Sequence, residues 1–201
     1  MDLSGECVTL STMRFRRAFL NPAIAVFAGY LAVAPAHAHD VARSDEVVRL
    51  LEELRAPDQQ GWQRLERQIG RLWSRSGSAS ADLLLQRGRE AMRRGDSAGA
   101  IGHFSALIDH APEFAEGYHA RATAWFMAGR LGLALDDLQE TLRLNPHHFS
   151  ALAGVGRIFE DLKAFDRAQK AYEASYAIHP HRDDVKAALE RLEKRLSGIT
   201  L

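Results

Sequence analysis

The sequence predicts an all-α fold: a solenoid of three stacked helical hairpins, flanked by an N-terminal helical hairpin and a C-terminal capping helix. Three observations carry this. Pro112, Pro146 and Pro180 are evenly spaced along the chain, Ala100, Ala134 and Ala168 keep the same interval, and each interval holds two apolar stripes at helical spacing. A period of about 34 residues, with a small residue in mid-unit and a proline near its end, fits a helix–turn–helix unit that buries its apolar face only against its neighbours.

The chain begins with a leader pattern. Arg14, Arg16 and Arg17 precede a largely apolar run from Ala18 to Ala34, and Ala36-His37-Ala38 follows. That order predicts a secretory signal peptide over residues 1–38, cleaved after Ala38, with Met13 as an alternative start. The competing reading is a membrane anchor, but Asn21, Pro22 and Gly29 interrupt the run, and its apolar core is shorter than the ~20 residues a spanning helix needs. Export to the periplasm is therefore expected, with no stable span after processing. The only cysteine, Cys7, lies in the leader, so the processed chain has no disulfide and no thiolate chemistry. Cys7 is also too far upstream of the apolar run to be a lipoprotein's acylated cysteine.

Residues 39–80 read as a helical hairpin and linker. Val47, Leu50, Leu51 and Leu54 form one stripe; after Pro57-Asp58, Trp62, Leu65, Ile69, Leu72 and Trp73 form another. The expected role is a cap on the first repeat, because terminal units of solenoids are atypical. The alternative is a partner-binding face built on Trp62 and Trp73. Ser76-Gly77-Ser78-Ala79-Ser80 then breaks the helix, with Ser80 as the expected cap of the next one.

The units 81–114, 115–148 and 149–182 align without a gap. Leu84, Gly88 and Ala91 make the first-helix stripe of unit one, and Ala100 and Phe104 mark its second helix. Tyr118, Ala122, Trp125, Ala134 and Leu138 repeat the pattern, as do Leu152, Gly156, Phe159, Ala168 and Tyr172. Small residues let paired helices approach closely while bulky ones fill the space between hairpins. Gly95-Asp96 and Asp166 supply turn and N-cap chemistry, and the residue before Pro146 or Pro180 is pushed out of helix.

These residues resemble the tetratricopeptide repeat (TPR) family, whose W-x2-L-G-x2-Y…A-x3-F…P pattern matches best at the small and proline positions. Arg87 and Arg121 stand where the family prefers Leu, and Leu107, Thr141 and Ser175 replace a small residue late in the second helix. The resemblance covers residues 81–182, about half of the chain. It implies a right-handed α-solenoid of three TPR hairpins acting as a non-catalytic protein-interaction scaffold. Some family members grip a C-terminal carboxylate through Lys and Asn residues; this sequence lacks them, so that mode does not carry over.

Residues 183–201 close the array. Val185, Leu189, Leu192 and Leu196 form a stripe ringed by Glu190, Arg191, Glu193 and Lys194, as a solvating cap helix requires. Charge is balanced, with 26 basic and 26 acidic residues. No bulk field draws the chain to nucleic acid or anionic lipid.

Catalytic and metal chemistry find little framing. Gly154-Val155-Gly156 resembles a phosphate loop but follows no strand and lies within a helix stripe. No nucleophile elbow or paired-carboxylate context appears. His147-His148 and His179-x-His181 sit in equivalent inter-unit turns, but H-x3-H and HExxH spacings are missing, and the expectation is solvated turn histidines with no cofactor or metal. A metal-handling protein or enzyme built on those turn histidines is the alternative, as is a structural self-association module.

The first helices of the units are expected to line a concave groove. The groove set includes Leu85, Arg89 and Met92, then His119, Thr123, Phe126 and Met127, then Arg157 and Glu160, with Arg191 in the cap helix. Arg89, Thr123, Arg157 and Arg191 recur at the repeat interval, so three arginines in four equivalent places offer forked donors to carboxylates of a partner segment. The opposing reading is local pairing with Asp82, Glu160 and Asp161. The expected partner is a protein or peptide.

Overall fold

The structure, a computed structural model, describes residues 36–198, with side chains from Ser44 onward. The predicted leader up to residue 35 lies outside the described residues. By contacts the chain divides into Met1–His39 and Asp40–Leu201; apart from the first turn of α1, all that follows concerns the second unit. No described helix is long and apolar enough to cross a membrane.

The described residues form helices and no strand. They are α1 (Ala36–Arg55), α2 (Trp62–Trp73), α3 (Ala79–Arg93), α4 (Ser97–His110), α5 (Ala115–Met127), α6 (Leu131–Leu144), α7 (Phe149–Asp161), α8 (Phe165–Ile178) and α9 (Asp183–Leu196). The period is visible in their starts. α5, α7 and α9 begin at equal intervals, and α4, α6 and α8 keep the same spacing, so α9 holds the place of a fourth unit's first helix.

Each hairpin turn is built the same way. Gly95, Gly129 and Lys163 take positive φ, and the next residue's N–H reaches the carbonyl five positions back: Asp96 to Ala91, Arg130 to Trp125, Ala164 to Phe159. This is the Schellman closure of a helix C-terminus. Asp96 then caps α4 by accepting from the Gly99 N–H. The expected cap at Asp166 is displaced, because α8 starts at Phe165 with Ala164 at its N-cap, leaving Asp166 in the first turn. Ser78 rather than Ser80 caps α3, accepting from the Ala81 N–H.

The core is a repeated contact. A Cβ on Gly88 would lie 2.2 Å from the Phe104 ring and one on Gly156 2.9 Å from Tyr172; at the equivalent place Ala122 packs with Leu138. Where α4 and α8 carry a ring the facing residue is glycine, and where α6 carries Leu138 it is alanine, as close packing demands. Phe104, Leu107 and Ala120 continue the first core, and Val185, Ala188 and Leu192 of α9 complete the last one.

The N-terminal hairpin departs from expectation. Leu50, Leu51 and Leu54 of α1 and Leu65 and Ile69 of α2 form a core with Phe149 of α7 and Ile178 of α8, which belong to the third unit. It does not stack as a cap on the first unit. It follows the row of inter-unit turns: Trp73 stacks on His148 with ring centroids 4.6 Å apart, and Trp62 lies 5.4 Å from His179 and 6.0 Å from His181. Both tryptophans are thereby taken up in intramolecular packing. The inter-unit turns offer the rings of His148, Phe149, His179 and His181, against which Trp62 and Trp73 pack, and Leu83 of α3 stays 45% exposed.

Candidate functional site

α5 and α7 lie side by side and form a pocket of about 200 Å³. Its floor is apolar, from Ala122, Phe126, Leu138 and Ile158; His119, Thr123 and Arg157 stand around it. Gly154 belongs to the same wall, so the glycine pair of α7 serves packing and pocket shape. The Thr123 hydroxyl is turned inward on its own helix, donating to the His119 carbonyl at 3.0 Å.

The rest of the expected groove set scatters. Leu85 is 2% exposed and sits in the first core, because α3 contacts both α4 and α5 and buries a wider stripe than one row. Met92 packs against that core, and Met127 is 57% exposed at the end of α5. Arg89 donates to Glu116 of the next unit and to Ser74 Oγ at 3.1 Å. Arg191 forms a fork on Glu160 at 2.8 and 3.0 Å, and Glu160 also accepts from the Tyr172 hydroxyl. Arg157 meets Asp161 through Nε at 3.5 Å. All three cations of the ladder therefore have a carboxylate partner.

Beside the pocket lies a compact polar cluster. Glu116 and His119, one turn apart on α5, meet His148, which ends the turn before α7. Glu116 Oε2 is 3.2 Å from His148 Nε2 and 3.5 Å from His119 Nδ1, while Arg89 holds Oε1. Burial opposes the charge of Glu116, but His119 and His148 beside it outweigh that burial and keep its carboxyl well below the usual range. Burial, with His119 nearby, pushes the His148 imidazole down. His148 Nδ1 accepts from the Ala151 N–H at 3.2 Å, capping α7, so the ring proton resides on Nε2 and is donated to Glu116.

Three of the four turn histidines are thus not solvated. His148 is 2% exposed and His179 is fully buried, while His147 alone of the four stays at the surface. The two turns do not gather with each other: His179 and His181 lie with ring centroids 6.0 Å apart in the contact with Trp62, while His148 joins His119. The sequence placed His119 on the groove face but did not disclose the union of Glu116 with His148. The available signal was the helical i, i+3 spacing of Glu116 and His119 together with the N-cap position of His148.

Comparison with known proteins agrees with this architecture. The Tetratricopeptide repeat family model matches residues 85–146 and 129–183. A TPR repeat-containing protein of Rhizobium etli is 28% identical over 156 residues, covering 78% of this chain and 76% of the relative. The tetratricopeptide repeat and J domain-containing co-chaperone DNJ1 of Cryptococcus neoformans is 30% identical across 57% of this chain, which spans only 24% of that protein. Among solved structures, the first TPR of Spaghetti (RPAP3), bound to an HSP90 peptide, superposes with a TM-score of 0.58 at 22% identity, covering 60% of this chain and 95% of that one. With three evenly repeated hairpins, shared Schellman turns and these matches, the chain belongs to the tetratricopeptide repeat family.

Proposed function

We propose that this protein is a non-catalytic interaction scaffold, exported to the periplasm, that captures a segment of a partner protein in the pocket between α5 and α7. The observation that carries the reading is that pocket, apolar at its floor and bordered by polar side chains from two adjacent units. Sites of this kind bury an apolar anchor while a few polar groups fix its orientation. The relative of known structure bound to an HSP90 peptide supports peptide capture by this fold. Export rests on the arginines and apolar run before Ala36-His37-Ala38.

The test is affinity capture from envelope extracts with the full chain and with Thr123→Arg. Thr123 is exposed at the pocket wall, so a long side chain there fills the pocket without disturbing the core. Loss of a specific partner at unchanged thermal stability is the expected result; equal capture by both proteins removes the pocket as the binding site. Subcellular fractionation and N-terminal sequencing of the mature protein check the export step, with His39 as the expected first residue.

A further inference from the structure

We propose that Glu116, His119 and His148 form a binding site for a divalent first-row transition metal, with Zn²⁺ chemistry, at the junction of the second and third units. Two histidine nitrogens and a carboxylate oxygen are the donor set of many zinc sites that keep a fourth position open.

The spacing fits. Zinc bonds to nitrogen and oxygen of about 2.0–2.1 Å in tetrahedral geometry place neighbouring donors about 3.3 Å apart. Glu116 Oε2 stands 3.2 Å from His148 Nε2 and 3.5 Å from His119 Nδ1, and the three donor atoms all lie within 4.8 Å of one another. A second observation is independent of the count: His119 Nδ1 is buried without a hydrogen-bond partner while it faces that carboxylate oxygen. Buried polar atoms left in this state are uncommon.

The surroundings hold the donors in place. Arg89 secures the other oxygen of Glu116, and Trp73 stacks on the His148 ring; outer contacts of this kind orient metal ligands. A pocket of about 160 Å³, bordered by Glu116, His148, Trp73, Asn145 and the cationic Arg75, opens onto two of the three donors. It gives the ion a path and leaves room for a water as fourth ligand. The Arg89 charge lowers affinity, so the site is weaker than one built on free carboxylates.

The metal takes the Nε2 lone pair of His148 and the displaced proton moves to Nδ1; that N–H then faces the Ala151 N–H across 3.2 Å, so the α7 cap is lost and the His148 ring must move away from the first turn of α7. His119 offers Nδ1, and Glu116, its carboxyl held well below the usual range, offers Oε2 as the anionic donor.

The experiment is titration of the full, metal-stripped chain with Co²⁺ and Zn²⁺, read by visible absorption, calorimetry and the Ala151 amide resonance. Saturable one-to-one binding, tetrahedral Co²⁺ bands and a shifted Ala151 amide are expected. His119→Gln, at a partly exposed residue, is expected to weaken binding at least tenfold while folding normally; His147→Gln, at the exposed neighbour, is expected to leave it unchanged. Absence of saturable binding in the micromolar range overturns the proposal. So does His119→Gln binding as tightly as the native chain, or loss of binding on His147→Gln.

Discussion

Lys163 holds the same place in its unit as Gly129 and adopts the same left-handed backbone, with φ of 60° against 70°. Both close a hairpin turn through the same pair of backbone hydrogen bonds. A side chain in this region crowds its Cβ against the following carbonyl, at about 1–2 kcal/mol for an ordinary residue. Glycine returns part of that gain through its freer unfolded chain. Lys163→Gly is therefore expected to stabilise the fold by about 0.5–1 kcal/mol, and Gly129→Lys to destabilise it by a similar amount, both measured by urea unfolding. No gain at Lys163 means that its turn is relaxed by something other than glycine.

Arg121, at a position where the repeat family prefers Leu, pairs with Asp137 through two hydrogen bonds of 2.8 Å and reaches Ser105 at 3.2 Å. Asp137 is only 7% exposed. Removing the arginine strands a buried carboxylate, so Arg121→Leu is expected to cost about 3 kcal/mol. Replacing Asp137 by Leu as well is expected to recover most of it. Arg191→Ala also breaks a fork, but on a side chain 45% exposed, and is expected to cost less than about 1 kcal/mol. Chemical denaturation of these variants beside the native chain decides; equal losses at Arg121 and Arg191 contradict the argument from burial.

These cases mark what the sequence made legible. A strict period reports neighbours within one unit and between adjacent units, so α3 to α9, their turns and the small–large pairs at Gly88 and Gly156 could be read off. The caps slipped towards the N-terminus: Ser78 takes the Ala81 N–H in place of Ser80, while α8 starts one residue before Asp166 behind Ala164, which offers no side-chain acceptor. The placement of α1 and α2 lay beyond reach, since they stand outside the period and their apolar stripes match any apolar surface. For the site, the arginine register was visible but its pairing was not: Arg89 finds Glu116 27 residues away, a contact set by packing of consecutive units.

The contact between α2 and the inter-unit turns predicts acid sensitivity. His179 closes α8 fully buried, both ring nitrogens unpartnered, with Phe149 4.9 Å and Trp62 5.4 Å from its ring. Burial pushes its imidazole down to about 4, Arg182 and then His181 beside it add to this, and Asp184 opposes it. Glu66 faces it from α2 at 3.8 Å and also favours the charged ring. The folded ring is thus neutral, while the unfolded chain takes up a proton below about pH 6.5. The contribution of His179 is complete above that value and is lost as pH falls towards about 4, at no more than about 1.4 kcal/mol per pH unit. The check is unfolding free energy at about pH 7.5 and about pH 5, with tryptophan fluorescence reporting release of α2. His179→Phe, which keeps an aromatic ring against Trp62, is expected to flatten the pH dependence. If the variant loses as much stability as the native chain between those two conditions, the acid response arises elsewhere.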